Sequence, residues 1–302
     1  MTSVDTLRAP EPAGARRPTP RRFLMCRPDH FDVRYAINPW MDVGAPVDRA
    51  RALRQWDLLR ATFERHGHRV EVIAGEPGLP DMVFAANGGL VIGDRALSAR
   101  FATPERAAEG PAYHRWLSGQ GLRALAAAAE INEGEGDFAV LPGRILAGTG
   151  FRSTAAAHRE VEHFFGMPVV SLELVDPHFY HLDTALMVLG DTIAYYPPAF
   201  DSASAALLAR LFPDAIVATA ADANVLGLNG VCDGCHVFLS DRVTALASEL
   251  RTRGYEPVGI DMSELLRAGG GVKCCTLEMH GDAAASGAGA ECRPNITSPR
   301  RP

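Results

Sequence analysis

Four stretches of this chain share one pattern: an apolar run, a short turn pairing Gly with Asp or Arg, and a second apolar run. They read VFAANGGLVIGDRALSARF, GDFAVLPGRILAGTGF, LDTALMVLGDTIAYYPPAF and LGLNGVCDGCHVFLS. Short apolar runs on either side of a glycine turn predict β-hairpins. The turns fall at Gly93, Gly143, Gly190 and Gly234, about 44 to 50 residues apart. Helical stretches such as STAAAHREVEHFFG and DRVTALASELRTRGY follow the hairpins, and short strands such as MPVVSLEL, DAIVATA and EPVGID follow the helices. Upstream, APVDRARALRQWDLLRATFERHGH and then RVEVIAG supply the helix–strand half of the same unit. The repeat is therefore ββαβ, occurring roughly five times. Each unit needs neighbours to bury its faces, which predicts a propeller-like α/β array; an ordinary α/β sheet is the alternative.

Composition leaves that picture in place. The chain has 302 residues, 47% hydrophobic and 22% charged, enough to bury a substantial core. A net charge of −6 argues against nucleic acid or an anionic membrane as partner. No apolar run approaches the roughly 18 residues of a membrane span. Residues 1–21, rich in Pro, Ala and Arg, read as a disordered lead-in and 281–302 as a disordered tail, leaving one domain over 22–280. Arg21-Arg22-Phe23-Leu24 has the look of a twin-arginine export signal, but the polar MCRPDHFDVRY follows it in place of an apolar core. The expected location is cytoplasmic, and cysteines 26, 232, 235, 274, 275 and 292 are expected as reduced thiols.

The polar clusters sit at corresponding ends of the units: PDMVFAAN (80–87), NEGEGDF (132–138), GFRST (150–154), HFYHLDT (178–184) and GGGVKCC (269–275). A glycine run ahead of adjacent cysteines lets the backbone approach a ligand closely, which a buried structural thiol would not need. A thiol nucleophile also needs a histidine or a cation nearby. His181 is the candidate, with Asp183 two residues on and so on the same strand face, and His178 is the rival. Glu133, Glu135 and Asp137 lead directly into an apolar strand, where unpaired carboxylates are costly. Carboxylates beside a thiol and a histidine suit a flat cation such as a guanidinium, with Arg100 and Arg152 available for a substrate carboxylate. CDGCH (232–236) fits both a c-type haem attachment pattern and half a zinc site, but it lacks an export signal and a second ligand pair. Its cysteines read instead as core or turn residues.

Taken together, these motifs over about residues 22–279 resemble the guanidino-group-modifying enzymes of the pentein superfamily. The resemblance implies a fivefold ββαβ propeller with a Cys-His-carboxylate site and no cofactor. The superfamily's Gly-Gly-x-x-Cys falls on Gly270, Gly271 and Cys274, making Cys274 the implied nucleophile, and its His-Leu-Asp-Thr falls on His181 to Thr184. Glu133, or else Glu135, matches the glutamate of its Glu-Gly-Gly-Asp motif. Arg152 and Arg100 match a carboxylate-binding pair, Asn38 a substrate-site asparagine, and Asp81 lies in the substrate-binding segment that ends at Asn87. Deiminases and dimethylarginine hydrolases carry Asp where Asn87 stands. This is closest to arginine dihydrolases, which convert arginine to ornithine, carbon dioxide and ammonia. Dimethylarginine hydrolysis or arginine deimination is the alternative, with amidino transfer or a haem or zinc module more remote. The implied partner is a small guanidino substrate, with homo-oligomerisation left open.

Overall fold

The computed structural model describes residues 16–281. In chain order it begins with β1 (Arg22–Cys26), α1 (Arg49–Arg65) and β2 (Arg69–Ile73). A second group holds β3 (Gly89–Ile92), β4 (Arg95–Ser98), α2 (Glu109–Ser118) and β5 (Ala124–Ala127). The third is β6 (Phe138–Leu141), β7 (Arg144–Thr149), α3 (Ala155–Phe165) and β8 (Val169–Glu173). A one-turn helix, α4 (Leu182–Ala185), opens the fourth, followed by β9 (Leu186–Val188), β10 (Ile193–Tyr195), α5 (Ser202–Leu211) and β11 (Ile216–Val217). After the short α6 (Ala220–Ala223) come β12 (Val231–Cys232), β13 (His236–Ser240), α7 (Ala245–Thr252), β14 (Glu256–Ile260) and finally β15 (Leu277–His280).

Each group pairs its strands identically. The first two strands are antiparallel and the third runs parallel to the second, as β6–β7–β8 and β12–β13–β14 show. The turn glycines explain the hairpins: Gly93, Gly143, Gly190 and Gly234 have φ of 61°, 75°, 92° and 102°, in the left-handed region that favours glycine. The N-terminal unit lacks a first strand of its own, and the C-terminus supplies it. Strand β15 pairs antiparallel with β1, and β1 parallel with β2, completing a fifth ββαβ unit from both chain ends. Successive units touch: β15 pairs with β3, α3 packs on β4, β6 on β9, β9 on β12, and β14 on α1. The described units therefore close on themselves.

Helix α1 shows how the sequence drives this packing. Asp48 caps it by accepting from the Arg51 N–H, and Ala52, Trp56, Leu59 and Phe63 recur on one face. That face is buried with Phe23 and Phe238, and Phe63 lies 4.9 Å from the Phe238 ring. Burying such a ring contributes on the order of 2–3 kcal/mol. Residues 16–21, assigned by composition to the lead-in, are held in place: Thr19 N–H donates to the Asp233 carbonyl at 2.7 Å, and Arg16 stacks 3.5 Å over the Tyr255 ring. Residues 1–15 and 282–302, with Cys292, lie outside the described residues. Among the described residues no helix is long and apolar enough to cross a membrane.

Candidate active site

Each unit contributes the segment just before its first strand to one polar centre. The order is Asn87, Glu133, the pair His181–Asp183, Asn229 and Cys274, ahead of β3, β6, β9, β12 and β15. Backbone and side-chain bonds link the segments. Asn87 Nδ2 donates to the Glu133 carbonyl at 3.1 Å, Asn229 Nδ2 to the Asp183 carbonyl at 3.2 Å, and Ala86 N–H to the Cys274 carbonyl at 3.0 Å.

The glycine run shapes the cysteine loop. Gly269 has φ of 84° and ends the turn Leu265–Ala268. A Cβ at Gly270 would lie 2.1 Å from the Phe84 ring, and one at Gly271 would lie 2.9 Å from Asn229 Oδ1. Only glycine permits both approaches. Beyond them Cys274 sits buried, its N–H donating to Asn229 Oδ1 at 3.1 Å and its thiol to Asp183 Oδ2 at 3.4 Å. Burial, and then the Asp183 charge, push the Cys274 thiol well up. Asp183 is itself raised to about 6, by burial opposed by the charges of His181 and Lys273. Cys275 is fully buried in the apolar core, and burial raises its thiol too. Asp183 is on the one-turn helix α4, not on a strand face shared with His181. Asp137 Oδ1 accepts the Leu182 N–H there at 3.2 Å and so anchors the helix start.

Glu133 organises the histidine. His181 Nε2 donates to Glu133 Oε2 at 2.7 Å, Arg152 Nη1 reaches the same oxygen at 2.9 Å, and Ala102 N–H reaches Oε1 at 3.2 Å. Burial would raise this carboxyl, but the His181 hydrogen bond and the charges of His181, Arg152 and Arg106 hold it at about 2. Both oxygens are therefore committed. Glu133 thus holds His181 and Arg152, whereas the sequence reading expected it to face a guanidinium. His181 Nδ1 is buried with no hydrogen-bond partner among the described residues, and so is Asp183 Oδ1.

A small cleft adjoins this centre, with Asn38, Asp81, Phe84, Arg106, Arg152 and Tyr180 among its walls. The Arg152 guanidinium lies 4.8 Å over the Tyr180 ring and donates to the Ile37 carbonyl at 2.8 Å. Asp81 accepts from Tyr35 Oη at 2.8 Å through Oδ2, while its buried Oδ1 has no partner among the described residues. Asn38 donates to the Ala268 carbonyl at 3.1 Å, tying the cleft to the glycine run. Asn87 is fixed from both sides, since Arg106 Nη1 donates to its Oδ1 at 2.8 Å while Nδ2 donates to Glu133. Arg106 is buried and pairs with Glu109 at 2.7 Å.

Several sequence candidates lie elsewhere. Arg100 is exposed and donates to the Ala129 carbonyl; the second arginine of the cleft is Arg106, six residues on. Glu135 faces away from His181, accepting from Lys273 at 2.5 Å, His280 at 2.6 Å and the Glu278 N–H at 2.8 Å, which leaves Glu133 as the histidine's partner. His178 is exposed on Asp176. The CDGCH segment forms the β12–β13 turn, where Asp233 Oδ1 accepts from the N–H groups of Cys235 and His236 at 2.8 and 2.7 Å. Cys235, His236 and Glu256 bring donor atoms within 4.8 Å of one another, but Cys235 is disulfide-bonded and offers no thiolate to a metal. The sequence reading missed Arg106 and Asn229. Asn229 was findable: it lies 45 residues before Cys274, on the period of the repeat.

A buried thiol against a carboxylate, a histidine held by a glutamate, and a fivefold ββαβ scaffold define a class. The chain belongs to the pentein superfamily of guanidino-group-modifying enzymes. It is 55% identical over 266 residues, covering 88% of each chain, to the N(G),N(G)-dimethylarginine dimethylaminohydrolase of Mycobacterium tuberculosis. It is 40% identical over 265 residues to the bifunctional arginine dihydrolase/ornithine cyclodeaminase AgrE of Nostoc, covering 85% of this chain and 38% of that longer one. Among solved structures it superposes on the N-terminal domain of the cyanobacterial arginine dihydrolase ArgZ, in a Cys-to-Ser variant bound to substrate. The TM-score is 0.83, with 34% identity and coverage of 87% of this chain and 99% of that one. No protein-family model matches the chain.

Proposed function

We propose that this enzyme hydrolyses free arginine twice, releasing ornithine, carbon dioxide and ammonia. Arg152 binds the substrate carboxylate, and Asp81 Oδ1 takes the α-ammonium. Asp183 Oδ1 takes the guanidinium and holds its carbon over Cys274. The thiolate adds to that carbon, His181 Nδ1 gives a proton to the departing ammonia, and an S-alkylthiouronium remains. Neutral His181 then activates water, and the ureido product, citrulline, is released from sulfur. Cys26, Cys232, Cys274 and Cys275 are free thiols, whereas Cys235 is disulfide-bonded, against the expectation that it is reduced.

The observation that carries the second hydrolysis is the buried amide of Asn87. Attack on a ureido carbon develops negative charge on oxygen, which needs a hydrogen-bond donor. The amide nitrogen has two N–H groups, and the Glu133 carbonyl occupies one. Its orientation is set by Arg106, which can only donate and so fixes Oδ1 toward itself. An ionised Asp at this position would accept only, and would repel the developing oxyanion. Mass spectrometry of products from arginine tests the reading: ornithine with two ammonia from wild type, citrulline from Asn87→Asp. Citrulline as the sole wild-type product would refute the second step and leave guanidino hydrolysis standing. The 55% identical relative's name supports a second reading, release of dimethylamine from dimethylarginine. The same assay run on both substrates separates the two.

A further inference from the structure

Asn229 was singled out neither by its motif nor by the mechanism above, yet it touches the reacting sulfur. Its Nδ2 lies 3.0 Å from Cys274 Sγ and 3.2 Å from the Asp183 carbonyl, and its Oδ1 accepts the Cys274 N–H at 3.1 Å. Which end of the amide faces the sulfur is decided by those two backbone groups. A main-chain N–H can only donate and a carbonyl can only accept, so the nitrogen must point at Sγ. The side chain is fully buried, and the absent Cβ of Gly271 makes room for it. Leu226, three residues earlier, has φ of 51° and is the one non-glycine residue with positive φ among the described residues. The Asn229 N–H donates to the Leu226 carbonyl at 3.0 Å, so this unusual turn presents the amide.

We infer that Asn229 is a catalytic residue of the proposed guanidino hydrolysis: its amide N–H stabilises the Cys274 thiolate in the attacking geometry. A neutral thiol is a weak acceptor and a thiolate a strong one, so the bond strengthens as the nucleophile ionises. The Gly271 backbone N–H also favours the thiolate, and the side chains other than Asn229 that bear on the sulfur oppose it or act indirectly. Asp183, Cys275 and Tyr180 carry negative or neutral groups, while Lys273 and His181 act through Asp183. Among side chains, the Asn229 amide is the neutral donor in contact with Sγ. A purely structural clamp would need only the Oδ1 bond to the Cys274 backbone.

Asn229→Asp keeps the acceptor and replaces the donor with a carboxylate; Asn229→Ala removes both without adding charge. The assay combines the steady-state pH profile with the rate of iodoacetamide labelling at Cys274, read by peptide mass spectrometry across the neutral to alkaline range. Arginine affinity is measured by calorimetry in a Cys274→Ser background, with and without Asn229→Asp. The expected result is a kcat lower by roughly a hundredfold or more, a labelling midpoint moved to higher pH, further for Asp than for Ala, and arginine affinity little changed. An unmoved labelling midpoint in both variants would overturn the inference. So would lost arginine affinity, or unfolding of both variants by circular dichroism, since each assigns Asn229 a structural role. Failure of the arginine reading itself is distinct: the Cys274→Ser protein would then bind no arginine, while the labelling shift would still appear.

Discussion

Replacing Glu133 with Gln keeps its shape and removes the charge that sits between His181 and Arg152. The carboxyl is held at about 2 against an ordinary 4.5, which corresponds to about 3 kcal/mol favouring the ionised folded state. Because the folded value lies below the unfolded one, that contribution is complete above about pH 4.5 and is lost as pH falls through about 2. At neutral pH the variant should lose stability on that order, a Tm drop of roughly 6–12 °C for a domain of this size. Breaking the buried pair with Arg152, whose side chain is 5% exposed, acts in the same direction. His181 Nε2 also loses its charged acceptor, so kcat should fall about a hundredfold or more, within the range of general acid–base contributions. The assay is urea denaturation of both proteins at neutral pH and at acid pH values, with turnover measured alongside. Equal stability at neutral pH, or a gap that does not narrow on acidification, would refute the electrostatic account of this carboxylate. Unchanged kcat would remove Glu133 as the histidine's orienting group.

Cys274→Ser should abolish turnover while Cys275→Ser retains much of it, since only the first sulfur touches Asp183 and Asn229; the reverse result would mean that the wrong cysteine has been assigned. Arg152→Ala should raise KM for arginine more than for agmatine, which lacks the carboxylate, a contact of about 1.5–3 kcal/mol. It should also lower kcat on both substrates, because Glu133 loses a partner. Equal KM losses would take Arg152 out of the carboxylate site.

The repeat was legible because each hairpin turn requires a left-handed residue, and glycine at 93, 143, 190 and 234 marks those positions at a regular spacing. The closing strand was not. The β15–β1 pairing joins Leu277 to Leu24, and a contact across nearly the whole chain leaves no local pattern in either segment. The nucleophile loop was legible in part. Its glycines signalled a close approach, but what approaches, Phe84 and Asn229, depends on neighbouring units. Arg100 and Arg106 show the limit most clearly. Both follow β4 and both are plausible in sequence, yet Arg100 ends exposed opposite Asn132, while Arg106 turns inward to Glu109 and Asn87. One burial decides the role, and burial is set by the fold.

The same geometry explains why the site residues are spread so evenly along the chain. Contacts at the centre join residues 45, 46 and 48 apart, as in Cys274–Asn229, Asn87–Glu133 and His181–Glu133. Each pair spans one unit, because each unit delivers its entry segment to the same place. A symmetric scaffold thereby presents one functional set from each of its five units: an amide, a carboxylate, a histidine with a second carboxylate, another amide, and a thiol. The entry segments also hold one another, through Asn87 to the Glu133 carbonyl, Asn229 to the Asp183 carbonyl, and Ala86 to the Cys274 carbonyl. A side chain changed in one unit therefore acts on the backbone that positions the next. Substitutions at Asn87 and Asn229 should accordingly be non-additive with those at Glu133 and Cys274, since residues sharing a hydrogen-bond network couple by about 0.5–3 kcal/mol.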